Sequence, residues 1–408
     1  MNNDEVVHAM QDAPMPRRDF LRKSLLLALP ATFGGLVAPA AAAISMSSPL
    51  PAAVGAQATF TPPTRVRGST EINVVNRGAH GNGTHDDTAA FQNAIDALPS
   101  DGGTVFVPVG TYLLDPTVMV RLRSRMHLRM ASGAVLKAKA NAADRAYVLM
   151  VHKVSEVEIS GGEIEGDRDR HTGTTGQWGH GIMVRGSSRV TIRDILIRKC
   201  WGDGITIAAS TPTETEPQIP SADIAIANVA CLDNRRAGMS LGQARRVRVY
   251  DSEFSYTGGI TPGCGINMES DFTNPGASDT HIENCVFRHN QANGIQVYRR
   301  TVGTTIKRCT IEKNGGYGIL TIGARDVWIA LNQIRSNQLI GIGMRSQSNN
   351  VSLAENRFYN NGRQFRTWDL QLLSPPSARA GHVHDRHTEV ANSQGIAINT
   401  NLYYDKVN

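Results

Sequence analysis

The sequence predicts an all-β fold: a single-stranded, right-handed parallel β-helix closed at its N-terminal end by a helical cap. Three observations predict it. From about Met126 the sequence becomes self-similar, with short apolar–polar segments beginning at Val190-Thr191-Ile192, Ile224-Ala225-Ile226, Val247-Arg248-Val249, Thr280-His281-Ile282, Thr305-Ile306, Val327-Trp328-Ile329 and Val351-Ser352-Leu353. Most of these units continue with a second short strand, an Asn and a Gly–apolar pair, and Asn290, Asn314, Asn337 and Asn360 stand 24, 23 and 23 residues apart. The composition, with 39 Gly and 6% aromatic residues in 408, suits stacked short strands better than packed helices.

A repeat of this length cannot close a core by itself. Each unit exposes apolar side chains that only the next can cover, so the units must stack. Leucine-rich repeats have a similar period but need a Leu ladder that is missing here. In a β-helix each unit is one coil, and equivalent residues lie about 4.8 Å apart. The recurrent Asn is expected at a tight turn, in left-handed backbone, with its amide bonded to its counterpart in the next coil.

The elements follow in order. Residues 1–43 read as an export signal: Arg17-Arg18 precede Asp19-Phe20-Leu21 and a short apolar run broken by Pro30 and Gly34-Gly35, and small residues end at Ala43. The run is too short for a comfortable membrane span. The pattern resembles a twin-arginine signal, which implies passage through the twin-arginine machinery in the folded state. It also implies a periplasmic or secreted location and no stable membrane span after processing. Residues 44–68, rich in Ser, Pro, Ala and Thr, read as a flexible linker. Residues 69–125 form the expected cap. Within it Asp86 or Asp87 is placed to cap a helix whose Phe91, Ile95 and Leu98 share one face. Coils are expected over 126–361, and a cap or tail over 362–408.

The run Gly78-Ala79-His80-Gly81-Asn82-Gly83-Thr84-His85-Asp86-Asp87 leads into the helix and then into Gly102-Gly103-Thr104-Val105-Phe106-Val107-Pro108. It resembles the N-terminal signature of the pectate-lyase-like β-helix superfamily. The resemblance covers residues 78–114 and, through the coil repeats, extends to about 360. It implies the fold and the cap, and it assigns His85, Asp86 and Asp87 to the cap. It leaves the reaction open among lyases, glycoside hydrolases, epimerases and tailspikes. The coil strands lack the Asn-Thr-Asp and Asp-Asp of polygalacturonases and the Asp-Pro-His of mannuronan epimerases.

The Gly–apolar pairs place the chemistry. With the apolar residue inward, period-2 alternation sends two columns outward. One holds Met183, Thr206, Ser240, Asn267, Gln296, Leu320 and Gly343. The other holds Arg185, Ala208, Gly242, Glu269, Tyr298, Ile322 and Arg345. Small Ala208 and Gly242 leave a hollow. Insertions at 167–178, 210–221, 257–263 and 270–278 flank the same strands and should wall a groove suited to a chain substrate.

Asp203, Glu269, Asp271 and Arg299 are the candidate catalytic residues. Trp178, His180, Arg235, Arg236, Asn267, Gln296 and Tyr298 are candidates for substrate binding. Glu269 and Asp271, one strand step apart, are costly to place together unless they bind a cation, share a proton or polarise a substrate. A turn-forming Asp203 and loop-packing Trp178 and Tyr298 are the competing structural roles.

The simplest activity is a lyase acting on an anionic, uronate-containing polysaccharide, with Glu269, Asp271, Arg299 and Tyr298 supplying base and neutralising groups, and Ca2+ a partner of the acids if it is used. A hydrolase or an intramolecular, fructan-type glycosyl transferase would use paired carboxylates, Asp203 with Glu269 or Asp271. A non-catalytic glycan-binding β-helix is the third reading. The formal charge is +6, with 42 Lys and Arg against 36 Asp and Glu, which favours an anionic partner. No basic helix or basic–aromatic motif points to nucleic acid. The five cysteines form no C-x-x-C pair, so a metal site is not expected from them, and small buried core positions suit them better.

Overall fold

The computed structural model describes residues 60–269, 276–362, 383–384 and 387–403. The export signal, most of the linker and Asp271 lie outside the described residues.

The chain winds into a parallel β-helix. Each coil contributes one strand to an 11-stranded sheet and two to a larger sheet that bends at the coil corner. The inward residues stack as the repeat requires. Ile159, Ile192, Ile226, Val249, Ile282, Ile306, Ile329 and Leu353 are register partners in succession. All eight are fully buried. Ile205 and Ile295 also point inward.

The corners are built differently from the expectation. Buried amides do form a ladder, with Asn290 Nδ2 donating to Asn314 Oδ1, Asn314 to Asn337 and Asn337 to Asn361, each at 2.9 Å. The last rung is Asn361, not Asn360. The left-handed backbone belongs to the residue before each rung: His289, Lys313, Ser336 and Asn360 have φ of 55, 53, 56 and 45°. That twist turns the next amide inward, where its ladder bonds replace water. A second ladder, Asn332 to Asn356 to Asn401, lines the other corner.

Three boundaries move. Glu71–Asn73 pairs with Gly103–Val107, and that strand with Met126–Met130, so coils begin inside the expected cap rather than at 126. Thr388–Ala391, Gln394–Asn399 and Leu402–Tyr403 continue the ladders, so coils also extend past 361. Residues 60–68 are not a loose linker but a strap across the outer face of the bent sheet. Phe60 stacks on Tyr250 with centroids 4.1 Å apart. Arg65 donates to Thr191 Oγ1 and to the carbonyls of Val190 and Asp223. Arg67 pairs with buried Glu158 at 2.8 Å.

The helix Thr88–Asp96 covers the N-terminal end, with Phe91, Ile95 and Leu98 buried. Asp86 Oδ1 accepts from the Thr88 amide, while Asp87 accepts from the amides of His80 and Gly81 and so holds the preceding loop. All five cysteines are buried free thiols. Burial pushes the Cys264 thiol up to about 12. Among the described residues no helix is long and apolar enough to cross a membrane.

Candidate functional site

The 11-stranded sheet carries the two outward columns in the expected register. Met183 pairs with Thr206, Thr206 with Ser240, Ser240 with Asn267, Asn267 with Gln296, Gln296 with Leu320 and Leu320 with Gly343. Arg185 pairs with Ala208 in the other column.

Arg236 sits just before the strand Ala237–Leu241 and is 5% exposed. Its guanidinium spans three coils. Nη1 donates to both Asp203 oxygens at 3.2 and 3.1 Å and to Ser240 Oγ at 3.0 Å, and Nη2 donates to Glu269 Oε1 at 2.7 Å. The two carboxylates hold its pKa above the usual arginine value against the opposing effect of burial. They differ in access: the Asp203 side chain is 1% exposed and that of Glu269 is 29%. Asp203 is therefore buried, and Glu269 keeps access to solvent. Thr206 Oγ1 adds a 2.9 Å bond to Asp203.

His180 stands one coil before Asp203. Its Nδ1 accepts from the Asp203 amide at 2.9 Å, which puts the ring proton on Nε2, and the ring stacks on Tyr147. Burial lowers its pKa to about 4, so it is neutral near pH 7. On the other side, Gln296 Nε2 donates to Asn267 Oδ1 and Asn293 Nδ2 to Gln296 Oε1. A polar track thus runs from His180 to Gln296. Among the described residues, three buried donors along it, His180 Nε2, Arg236 Nε and Asn267 Nδ2, find no hydrogen-bond partner.

Other sequence candidates go elsewhere. Arg235 turns away from the acids, lies over the Trp201 ring at 3.5 Å and donates to the carbonyls of Gly176 and Trp201. The far face of Trp201 is covered by His171, which is bonded to Asp167 at 2.7 Å. This group ties down the 167–178 loop. Trp178 is half-buried beneath Arg145, beside an apolar cluster of Tyr147, Met150 and Met183 on the outer face. Tyr298 follows Glu269 in its column and carries the Arg299 guanidinium 5.2 Å from its ring centre. The sequence reading missed Tyr317, which donates to Glu389 at 2.7 Å farther along the sheet. Glu389 lies beyond the recurrent Asn residues, and no repeat spacing points to it. Gly343 is the one signal for Tyr317, since a Cβ there would come within 2.6 Å of the Tyr317 ring.

This coil architecture, with a polar track along the 11-stranded sheet, defines a parallel β-helix protein. Residues 131–276 and 264–402 match the family model for a right handed beta helix region, and the chain belongs to that family. Residues 71–165 also match the model "Rhamnogalacturonase A/epimerase, pectate lyase-like". The chain is 29% identical over 219 residues to the uncharacterized protein YclG of Bacillus subtilis, covering 48% of this chain and 38% of that protein. It is 27% identical over 258 residues to mannuronan C5-epimerase AlgE2 of Azotobacter vinelandii, covering 56% of this chain and 25% of the relative. It thus spans well under half the length of either. Among solved structures, the mannuronan C-5 epimerase AlgE6 A-module of Azotobacter vinelandii superposes with a TM-score of 0.60 at 17% identity. That match covers 82% of this chain and 96% of the module and shows the common fold.

Proposed function

We propose that the protein is an exported enzyme that cleaves a uronate-containing polysaccharide by β-elimination in the groove of the 11-stranded sheet. The observation that carries this is Glu269: a groove carboxylate with access to solvent, oriented by a buried guanidinium, beside a hollow and next to Tyr298. In the reaction, Glu269 takes the proton from the sugar carbon beside the uronate carboxylate. The electron pair forms the C4=C5 double bond as the C4–O bond breaks, and the Tyr298 hydroxyl protonates the departing oxygen. Asp203 holds Arg236 and thereby Glu269, which makes it a positioning residue. Ca2+ as a partner of the acids rests on Asp271. The printed name of one relative, a C5-epimerase acting on mannuronan, supports a uronate polymer as the class of substrate.

A second reading, hydrolysis, is favoured by one observation. Bonds of 3.1 and 2.7 Å to one guanidinium keep oxygens of Asp203 and Glu269 within roughly 8 Å, inside the span that glycosidic hydrolysis uses. Incubation with a panel of uronate and neutral polysaccharides separates the readings. β-Elimination yields reducing ends together with the ultraviolet absorbance of an unsaturated uronate. Reducing ends alone identify a hydrolase, and neither product identifies a glycan-binding protein without catalysis. Export through the twin-arginine route rests on Arg17-Arg18, and replacing both with Lys should leave precursor in the cytoplasm.

A further inference from the structure

We propose that the hollow over Ala208 and Gly242 is the subsite for a single uronate ring, and that Arg185 is the partner of its carboxylate. This deepens the cleavage reading and rests on it. The column His152, Arg185, Ala208, Gly242, Glu269 runs from basic to acidic across the groove floor. Its two middle members have almost no side chain.

The glycine is not imposed by the backbone or by packing. Gly242 has no left-handed φ, and a Cβ built on it would meet only ordinary contacts, 3.5 Å to the Glu269 carbonyl and 3.6 Å to the Ala208 Cβ. Gly204, just before the strand Ile205–Ala208, and Gly238, in the strand that Gly242 follows, would each bring a Cβ within 2.7 Å of a backbone carbonyl and are there for packing. What Gly242 provides is space. Three strand spacings separate Arg185 from Glu269, about 14 Å between backbones. With both side chains leaning inward, the gap accommodates one pyranose ring and its carboxylate.

The two rims suit opposite ends of such a ring. Among the described residues, the one hydrogen bond the Arg185 side chain makes is from Nε to the Ala209 carbonyl, at 3.2 Å. It fixes the guanidinium at the rim and leaves its terminal nitrogens for a planar carboxylate, the geometry that Arg recognises with two parallel bonds. The adjacent Lys153 is paired with Glu216 of the 210–221 loop. The opposite rim is Glu269, beyond the far end of this ring, so it faces C5 of the next sugar along the chain, the one it deprotonates.

The experiment measures binding without turnover. Trisaccharides of galacturonate, mannuronate, guluronate and glucuronate, with neutral trisaccharides as controls, are titrated calorimetrically into Glu269→Gln, into Glu269→Gln with Arg185→Gln, and into Glu269→Gln with Gly242→Leu. At least one uronate should bind the first protein. Arg185→Gln should weaken it at least tenfold while leaving neutral sugars unchanged, and Gly242→Leu should abolish it. Circular dichroism checks that each variant is folded, and Arg185→Gln alone decides the matter if Gly242→Leu is not. Equal uronate affinity with and without Arg185, or no uronate binding at all, overturns the subsite. Full activity of Glu269→Gln sinks the catalytic reading instead, and the titrations still judge the subsite.

Discussion

Replacing Arg236 with Met tests the electrostatic centre of the groove most directly. The substitution keeps the unbranched stem and removes the guanidinium. It deletes contacts of 3.2 and 3.1 Å to Asp203, 3.0 Å to Ser240 and 2.7 Å to Glu269. The partners do not lose equally. The Asp203 carboxylate, 1% exposed, is stranded as an unpaired buried charge, whereas Glu269, 29% exposed, turns to water. Breaking one side of a buried pair costs about 3–5 kcal/mol, and nearly all of that should come from Asp203. Neutralising Asp203 as well should recover about 2 kcal/mol or more, so the double variant Asp203→Asn, Arg236→Met should be the more stable of the two. Glu269→Gln alone should cost under about 1 kcal/mol. Urea unfolding followed by circular dichroism reads all four proteins. If Asp203→Asn restores nothing in the Arg236→Met background, the buried carboxylate is not what the guanidinium neutralises.

Three further outcomes are expected. His180 is held neutral in the folded state, with a pKa near 4 against 6.5 unfolded, so its contribution is complete above pH 6.5 and is lost as pH falls toward 4. Over that window the parent should lose up to about 3 kcal/mol more stability than His180→Asn, and equal losses in pH-dependent urea melts contradict the buried neutral imidazole. Asn314→Ala removes a rung that accepts from Asn290 and donates to Asn337 and to the Phe287 carbonyl; a cost of about 3 kcal/mol in the same melts is expected, and a cost under about 1 kcal/mol shows that the ladder is dispensable. Arg65→Ala releases the strap from three acceptors on the bent sheet, which should cost about 1–2 kcal/mol and speed proteolysis near residue 65; unchanged cleavage argues against a fixed strap.

The coil strands were legible because burial enforces them. A one-residue slip would carry Ile205 or Ile295 from core to solvent, so alternation within each short strand revealed both register and outward columns. The corners were legible only in outline. The amide spacing announced a ladder, but the left-handed residue before each rung is His, Lys, Ser or Asn in the first ladder and Leu, Glu or Thr in the second, and no single side chain marks it. The strap escaped notice because Pro, Thr and Ser look like linker whether or not Arg65 and Phe60 find partners elsewhere. In the site, the columns brought Ser240, Asn267 and Glu269 together correctly. The contrast between Arg235 and Arg236 was invisible, because two adjacent identical residues differ only in which way the coil turns them. The burial of Asp203 was hidden for a similar reason: exposure depends on the coil above, not on the residue's own neighbours.

The backbone bonding of the 11-stranded sheet also gives the groove a fixed pitch. Its side chains repeat at about 4.8 Å along the helix axis, and no side-chain substitution changes that interval. A chain substrate brings its own interval. A glycan whose repeat is about a tenth longer slips by about half a step over five coils, so sugars in phase at Gly242 are out of phase toward either end. On the reading proposed above, protein and glycan would act as the two scales of a vernier. Tight recognition would be confined to the few positions where the marks coincide, and the rest of a long polymer would be left loosely held and able to slide.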